Sequence, residues 1–438
     1  MSVTVLIDAR APLAGVKVYS VTLLERILRQ LHELDLYSRV ARDVKPGTTL
    51  ASYLERKTAI VLLPADVTLG SLLRPEFHER FPLHLTWLHD PTPSAVDETV
   101  ETLGTEVVVL EADGLYDERI IEALLTSESP LRITDENTAD APLALRCRLT
   151  DLALEVWGDV IERIRAYAET GAIPTLSVHR MSTYLQSLRR HVVPQLERVT
   201  NPEAIRGIEN RMYANTFKGA MEFVGAYGYR IPVRGLTRLF ARTNITPNAL
   251  TGWSVACKLA AIPFFAMGWI WTGLCLAWGF VLLDSVDGKL ARMIVRYSGV
   301  AGVVDRRTTL ASYMLWYMAM GWHFSGGNLL SLPAAAGFVM AIMALLDKLG
   351  MMYFVRTFGR SLLDYEPIDW WIHLFNARKN LLAVLMLGLL IGRGVETFYL
   401  VAGWMVLTFL AHVARIIWVS LAHQRQRHAG EMYQESPS

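Results

Sequence analysis

Asp284-Ser285-Val286-Asp287-Gly288-Lys289-Leu290-Ala291-Arg292 closes a long apolar run, and Asp305, in Gly302-Val303-Val304-Asp305-Arg306-Arg307-Thr308-Thr309, opens onto apolar sequence again. Ionisable side chains in membrane segments are costly enough to mark function by default. On a helix, Asp284, Asp287, Gly288, Ala291 and Arg292 advance in steps of about 100° and fall within an arc of about 140°. Two carboxylates, two positions without bulk and one guanidinium then share a face. Carboxylates this close in a partly dehydrated site repel, so they are protonated, paired with cationic side chains or gathered round a metal ion. Oxygen donors without His or Cys favour Mg²⁺, Mn²⁺ or Ca²⁺ over zinc. Gly288 and Ala291 leave room beside the helix backbone, and Arg292 offers paired donors to a phosphate. The face fits a metal-bound diphosphate. A salt-bridged helix end, with Asp284 and Asp287 paired to Lys289, Arg292 or Arg296, is the alternative.

Outward from this stretch lie six apolar segments, at about 249–268, 270–290, 302–323, 328–349, 380–394 and 396–420. Most approach the ~20 residues that a bilayer span needs, and the short fifth reads as one arm of a hairpin with the sixth. No Asp, Glu, Lys or Arg stands between Lys258 and Asp284 or between Arg307 and Asp347, so two inter-helix turns carry no charge. The opposite side holds Lys289, Arg292, Arg296, Arg306, Arg307, Arg356, Arg360, Arg378, Lys379, Arg425 and Arg427. By the positive-inside rule that side is cytoplasmic, with both termini and the acidic cluster. Just ahead of the first span, arginines 230, 234, 238 and 242 recur every four residues, which predicts an interfacial helix over 229–245 that Pro247 terminates. Asp347-Lys348 reads as an ion pair at a helix end.

The first 174 residues read differently. SVTVLIDA, TAIVLLPA, LHLTWLHD and EVVVLEAD are short β-type runs separated by helical patterns such as SVTLLERILRQLHEL and DERIIEALL. That rhythm predicts a soluble α/β domain with a mostly parallel sheet, followed by a helical connector over 175–228. A polar tail is expected over 426–438. The N-terminus has no basic start with a long apolar block and is expected to stay in the cytoplasm. With 52% hydrophobic residues in 438 the chain belongs to the membrane class, and a formal net charge of +1 gives no case for nucleic acid. Cys147, Cys257 and Cys275 have no metal-ligand spacing and read as packing residues.

These residues carry a resemblance. Asp284 to Arg292 matches the DxxDGxxAR signature of the CDP-alcohol phosphotransferase (phosphatidyltransferase) family, whose members have six transmembrane helices; Asp305 falls on the next acid of that signature, and Thr246-Pro247-Asn248 stands before the first span as is common in the family. The resemblance covers about 229–425. It implies transfer of a substituted phosphate from a CDP-alcohol, such as CDP-diacylglycerol or a CDP-polyol, to an alcohol or phosphorylated alcohol with release of CMP, in phospholipid or phospho-polyol synthesis. It also implies Mg²⁺ or Mn²⁺ on Asp284, Asp287 and Asp305, a CDP site shaped by Gly288, Ala291 and Arg292, and a homodimer in the membrane lipid. Arg378 and Lys379 lie near where the family binds the acceptor. Two positions depart from the signature. Ala301 replaces a glycine, and Thr309 replaces the last Asp, which serves the family as metal ligand and as the proposed base. A threonine hydroxyl is no base at neutral pH, and losing a general base typically costs about 10²–10⁴ in rate. One divalent site is therefore expected, with Asp305 and Thr309 at its catalytic corner. A catalytically impaired member acting as a CDP-binding or regulatory subunit is the alternative.

The front region resembles the cytidylyltransferase half of bifunctional inositol-phosphate cytidylyltransferase/phosphotransferase enzymes. VVVLEADGLYDERIIEALL is similar to a nucleotidyltransferase strand, metal-binding Asp and helix, with Asp113 in the metal position, and SVTLLERILRQL to the helix after the nucleotide loop. The loop itself, DARAPLAGVKV, has Gly15 as its sole glycine, and side chains at Ala9, Arg10 and Ala11 obstruct approach to phosphates. A degenerate domain is expected, with an active cytidylyltransferase, using Lys17 on phosphate, as the alternative.

Overall fold

The computed structural model describes residues 3–34, 57–89, 106–138, 140–148, 151, 160–185, 187–243, 245–297 and 299–434. The chain divides into two units: Met1–Tyr184, His191–Thr216 and Ala291–Tyr297 form the first, and Leu185–Arg190, Phe217–Leu290 and Ser298–Ser438 the second.

In the first unit, Val3–Asp8 (β1), Thr58–Leu63 (β2), His84–His89 (β3), Glu106–Glu111 (β4), Leu131–Thr134 (β5), Ala144–Arg148 (β6) and Thr175–Ser177 (β7) form one sheet in the order β7-β5-β6-β4-β1-β2-β3. β1 runs parallel to both β4 and β2, and β2 is parallel to β3. β6 is antiparallel to β4 and β5, so the sheet is mixed and mostly parallel. The central strands are buried on both faces, which explains their unbroken apolar runs. Val5 and Ile7 pack with Leu24, Ile27 and Leu28 of α1 (Leu23–His32) and with Ile120 and Leu124 of α2 (Glu118–Thr126). Leu6, one residue out of phase, packs with Ile161 and Ile164 of α3 (Val160–Glu169) on the other face. Thr22 and Asp117 cap α1 and α2 by accepting from the amides of Glu25 and Arg119.

The helical connector expected over 175–228 is helical only in its second half. Thr175–Ser177 is the edge strand β7, Tyr184–Leu185 and Arg190–His191 pair as a short hairpin, and Leu196–Arg198 pairs antiparallel with Gly114–Tyr116. Pro194 lacks the amide that a helix needs, and Val192-Val193 favour extended backbone. Helix α4 (Ile205–Asn215) follows.

The second unit is helical: α5 (Arg230–Ala241), α6 (Pro247–Ala266), α7 (Ile270–Ile294), α8 (Gly299–Phe324), α9 (Leu332–Phe358), α10 (Pro367–Leu374), α11 (Ala377–Leu390) and α12 (Gly394–Gln434). α5 is shorter than the expected interfacial helix, and α12 carries helix into the expected polar tail. Four helices, Pro247–Ala266, Ile270–Ile294, Leu332–Phe358 and the Gly394–Arg425 part of α12, are long and apolar enough to cross a membrane. α8, with Thr, Tyr, Trp and His among its apolar residues, and the 14-residue α11 fall outside that set. Leu387, Leu390, Leu400, Leu407, Leu410 and Ile417 are exposed on α11 and α12, the surface a helix offers to lipid. α8 packs on α6 and α9, and α9 on α12. Gly321 and Gly337 permit the α8–α9 approach: a Cβ on Gly337 would stand 2.5 Å from the Tyr317 carbonyl oxygen. Asp347, expected to pair with its neighbour Lys348, pairs with His412 Nδ1 of α12 at 2.7 Å.

The last turn of α7 belongs to the first unit. Arg26 donates to the Met293 carbonyl and Arg29 Nη1 to the Ile294 carbonyl at 2.7 Å, taking up carbonyls that a helix end leaves without partners. Tyr297 donates to Glu118.

Candidate active site at the end of a helical bundle

Thr246 caps α6 by accepting from the Ala249 amide, with Pro247 in the first turn, where a missing N–H costs nothing. That start sets Thr251 one turn in and Lys258 two turns further, both on the buried side of α6. α7 brings Asp284 and Asp287 in its second half, and α8 brings Asp305 and Thr309 in its first half. Thr251 Oγ1 donates to Asp287 Oδ2 at 2.6 Å, which fixes that carboxylate and leaves its other oxygen free of this bond. Asp284 and Asp305 both act electrostatically on Asp287, so the three acids form one neighbourhood. Lys379 Nζ of α11 stands 3.6 Å from Asp284 Oδ2. The side chain of Arg378 lies outside the described residues.

At the Asp305 corner the structure adds a residue that sequence reasoning noted only as the edge of an uncharged stretch. Lys258, fully buried, donates from Nζ to Asp305 Oδ1 at 2.5 Å, to Thr309 Oγ1 at 2.9 Å and to the Asp305 carbonyl at 3.2 Å. Thr309 in turn donates to the Asp305 carbonyl at 2.7 Å. Its hydroxyl proton and a lone pair are both committed, which agrees with a residue that takes no proton from a substrate. The available signal was a lysine inside an apolar span, itself a reason to expect function.

Asp284 and Asp287 are hard oxygen donors suited to one ion of the Mg²⁺ or Mn²⁺ type. Among the described residues, however, no three His, Cys, Asp or Glu side chains close round a single point. Asp305 is turned to Lys258, and Thr309 brings no anionic oxygen. Asp284 and Asp287 are the two carboxylates with which a single ion would begin, and among the described residues no second set of acidic donors accompanies them. Gly288 lies on α7 beside Asp287. Ala291 and Arg292 fall in the last turn, with the first unit, where Arg292 Nη2 donates to the Thr216 carbonyl at 3.3 Å.

The sequence of the Mycobacterium marinum phosphatidylinositol phosphate synthase is 34% identical to this chain over 93 residues, which are 20% of this chain and 40% of that protein. The Cutibacterium acnes phosphatidylinositol phosphate synthase is 30% identical over 90 residues, 20% of this chain and 43% of that one. The C-terminal part of this chain resembles phosphatidylinositol phosphate synthases. The match spans about two fifths of the length of these curated relatives. No protein-family model matches the chain. Among solved structures, Mycobacterium tuberculosis phosphatidylinositol phosphate synthase in apo form is 19% identical, with a TM-score of 0.33, over 42% of this chain and 94% of that one. The same synthase has been solved with CDP-DAG bound (TM-score 0.32) and in complex with manganese and citrate (TM-score 0.27).

In the first unit, the stretch 8–18 that stands where a nucleotide loop would lie, and that was expected to obstruct phosphates, runs into a tight hairpin, Lys17–Val18 against Val21–Thr22, with Tyr19 and Ser20 both at positive φ. Tyr19 is tied to α4, its amide donating to Glu209 Oε1 at 2.9 Å and its hydroxyl to the Glu209 carbonyl at 2.5 Å. A Cβ on Gly15 would meet Leu72 at 3.1 Å, so that glycine serves packing. Asp113 Oδ2 accepts from Arg198 Nη1 at 2.7 Å, and Arg198 also pairs with Glu111. Burial pushes the Asp113 carboxyl up, and Arg198 pulls it back down. A guanidinium therefore faces one oxygen of the carboxylate that the sequence put in a metal position.

Proposed function

We propose that the second unit is a CDP-alcohol phosphotransferase domain, taking a substituted phosphate from a CDP-alcohol to an acceptor alcohol with release of CMP. The observation that carries this reading is the Asp284–Asp287 pair on one face of α7, with Asp287 oriented by Thr251 and Asp284 beside Lys379. The sequence likeness to phosphatidylinositol phosphate synthases supports it. Asp284 and Asp287 would hold one Mg²⁺ or Mn²⁺, with Asp305 of the same signature beside them on Lys258, and the ion when bound supplies Lewis-acid neutralisation of a diphosphate. Thr251 keeps Asp287 in its rotamer. Gly288, Ala291 and Arg292 would shape the CDP side, and Lys379 would meet the anionic acceptor or diphosphate. Both membrane-facing termini would be cytoplasmic, with six spans, α6 to α9 with α11 and α12, and a homodimer as the assembled form.

A second reading has its own observation. With Thr309 in place of an acid and Asp305 bonded to Lys258, the corner that would deprotonate an acceptor hydroxyl has no uncommitted base. A protein that binds the CDP-alcohol without transferring it follows from that arrangement. The first unit, under either reading, is a degenerate nucleotidyltransferase-like domain. Purified protein with CDP-diacylglycerol or CDP-inositol, an alcohol acceptor and Mn²⁺ decides: metal-dependent CMP release that Asp287→Asn abolishes supports transfer. Metal-dependent CMP binding without release supports the second reading, and neither binding nor release rejects both.

A further inference from the structure

We infer that Lys258 is a built-in cation standing where a second metal ion would sit, so that this centre takes a single divalent ion per chain. The inference rests on the acidic face of α7 being a divalent site, and it assigns a role to a residue outside the signature. An ammonium has three donors, and Lys258 places all three, on Asp305 Oδ1, Thr309 Oγ1 and the Asp305 carbonyl. The side chain is fully buried while Asp305 is 17% exposed, so the pair is screened little by water. The face of Phe280 lies 5.2 Å from the same nitrogen. The backbone of Lys258 is pinned as well, its carbonyl accepting from Trp316 Nε1 at 2.8 Å. Both ends of the residue are therefore bolted to α8, the helix that carries Asp305 and Thr309.

Charge explains why the two unusual residues belong together. With an acid at 309, the corner would hold two carboxylates against the single ammonium of Lys258 and keep a net negative charge. With Thr309 it holds one carboxylate and one ammonium and is neutral. A divalent ion entering there would have to displace a fully bonded ammonium, and a buried carboxylate loses several kcal/mol when its partner is taken away. Arg306 and Arg307, exposed on the next positions of α8, add further positive charge. Asp284 and Asp287, on α7, make no bond to Lys258 and are the carboxylates left for one ion.

The test is Mn²⁺ stoichiometry on the full chain in detergent, by electron paramagnetic resonance of free Mn²⁺ during titration. The expected result is one ion per chain for the wild type and two ions for Lys258→Met with Thr309→Asp, in which the ammonium is gone and two carboxylates remain. Two ions in the wild type, or one in a folded double variant, overturns the inference while leaving the divalent site standing. No ion in the wild type overturns that site and the inference with it. If the double variant fails to fold, as judged by its melting profile, the wild-type count decides alone.

Discussion

At the scale of single residues, the chemistry is set by who partners each carboxylate. Thr251 is a positioning residue for Asp287, and such supports typically contribute about tenfold to a hundredfold in metal affinity. Thr251→Val is therefore expected to weaken Mn²⁺ binding by about tenfold without changing the number of ions, read from the same titration. Glu118 gives a pH signature. Burial raises its carboxyl from an ordinary 4.5 to about 7, with Asp117 adding to the rise and the Tyr297 hydroxyl, Arg292 and Arg26 opposing it. Between those two values the folded chain keeps a proton that the unfolded chain has lost, so stability is highest below about 4.5 and falls as pH rises to about 7. Glu118→Gln should flatten this part of the melting-point profile. An unchanged slope would assign the dependence to other groups.

At the scale of elements, helix ends and crossings explain where sequence patterns were reliable. The Thr-Pro start of α6 and the unbroken apolar runs of β1 and β4 carry their own local reasons, and these elements form where the pattern puts them. The stretch 176–200 misled because a spacing of charged and apolar residues resembles a helix until Pro194 and the pairing of Leu196–Arg198 with Gly114–Tyr116 are counted. Helix α1 shows how a buried ion pair serves an element: Arg29 is bonded to Glu25, itself 1% exposed, and to the end of α7. Arg29→Ala leaves that carboxylate buried alone and should destabilise the fold by about 3–5 kcal/mol. Arg29→Ala with Glu25→Ala should cost less than the sum of the two, measured by denaturant unfolding as a double-mutant cycle. At the α8–α9 crossing, Gly337→Leu puts side-chain atoms against the Tyr317 carbonyl and is expected to cost about 1–3 kcal/mol or more, seen as a lower melting point in detergent.

For the molecule as a whole, the charge-free turns at 267–269 and 325–331 and the basic opposite ends predict a topology that labelling can check. In a background without Cys257 and Cys275, Asn328→Cys should react with a membrane-impermeant maleimide added outside intact cells, and Arg360→Cys should not. The reverse pattern would invert the orientation. The first unit predicts a negative result with a positive control. Its hairpin and the Arg198–Asp113 pair leave no glycine-lined phosphate cradle. CTP-dependent pyrophosphate release is expected to be absent both in the wild type and in Arg198→Met, while an active cytidylyltransferase assayed alongside releases it.

What the residues dictated on their own was everything that depends on short range: the strands of the first unit, the positions of the apolar helices, the acidic face of α7 and the missing acid at 309. Hydropathy, helical phase and proline placement act within a few residues, so a linear reading suffices for them. What only the folded chain decided was the pairing of distant side chains. Lys258 lies 47 positions from Asp305 in sequence, Arg198 lies 85 from Asp113, and each supplies the cation that its carboxylate faces. Such pairs are chosen by the packing of whole helices and strands, which no spacing along the chain records, and they decide which charge each carboxylate faces.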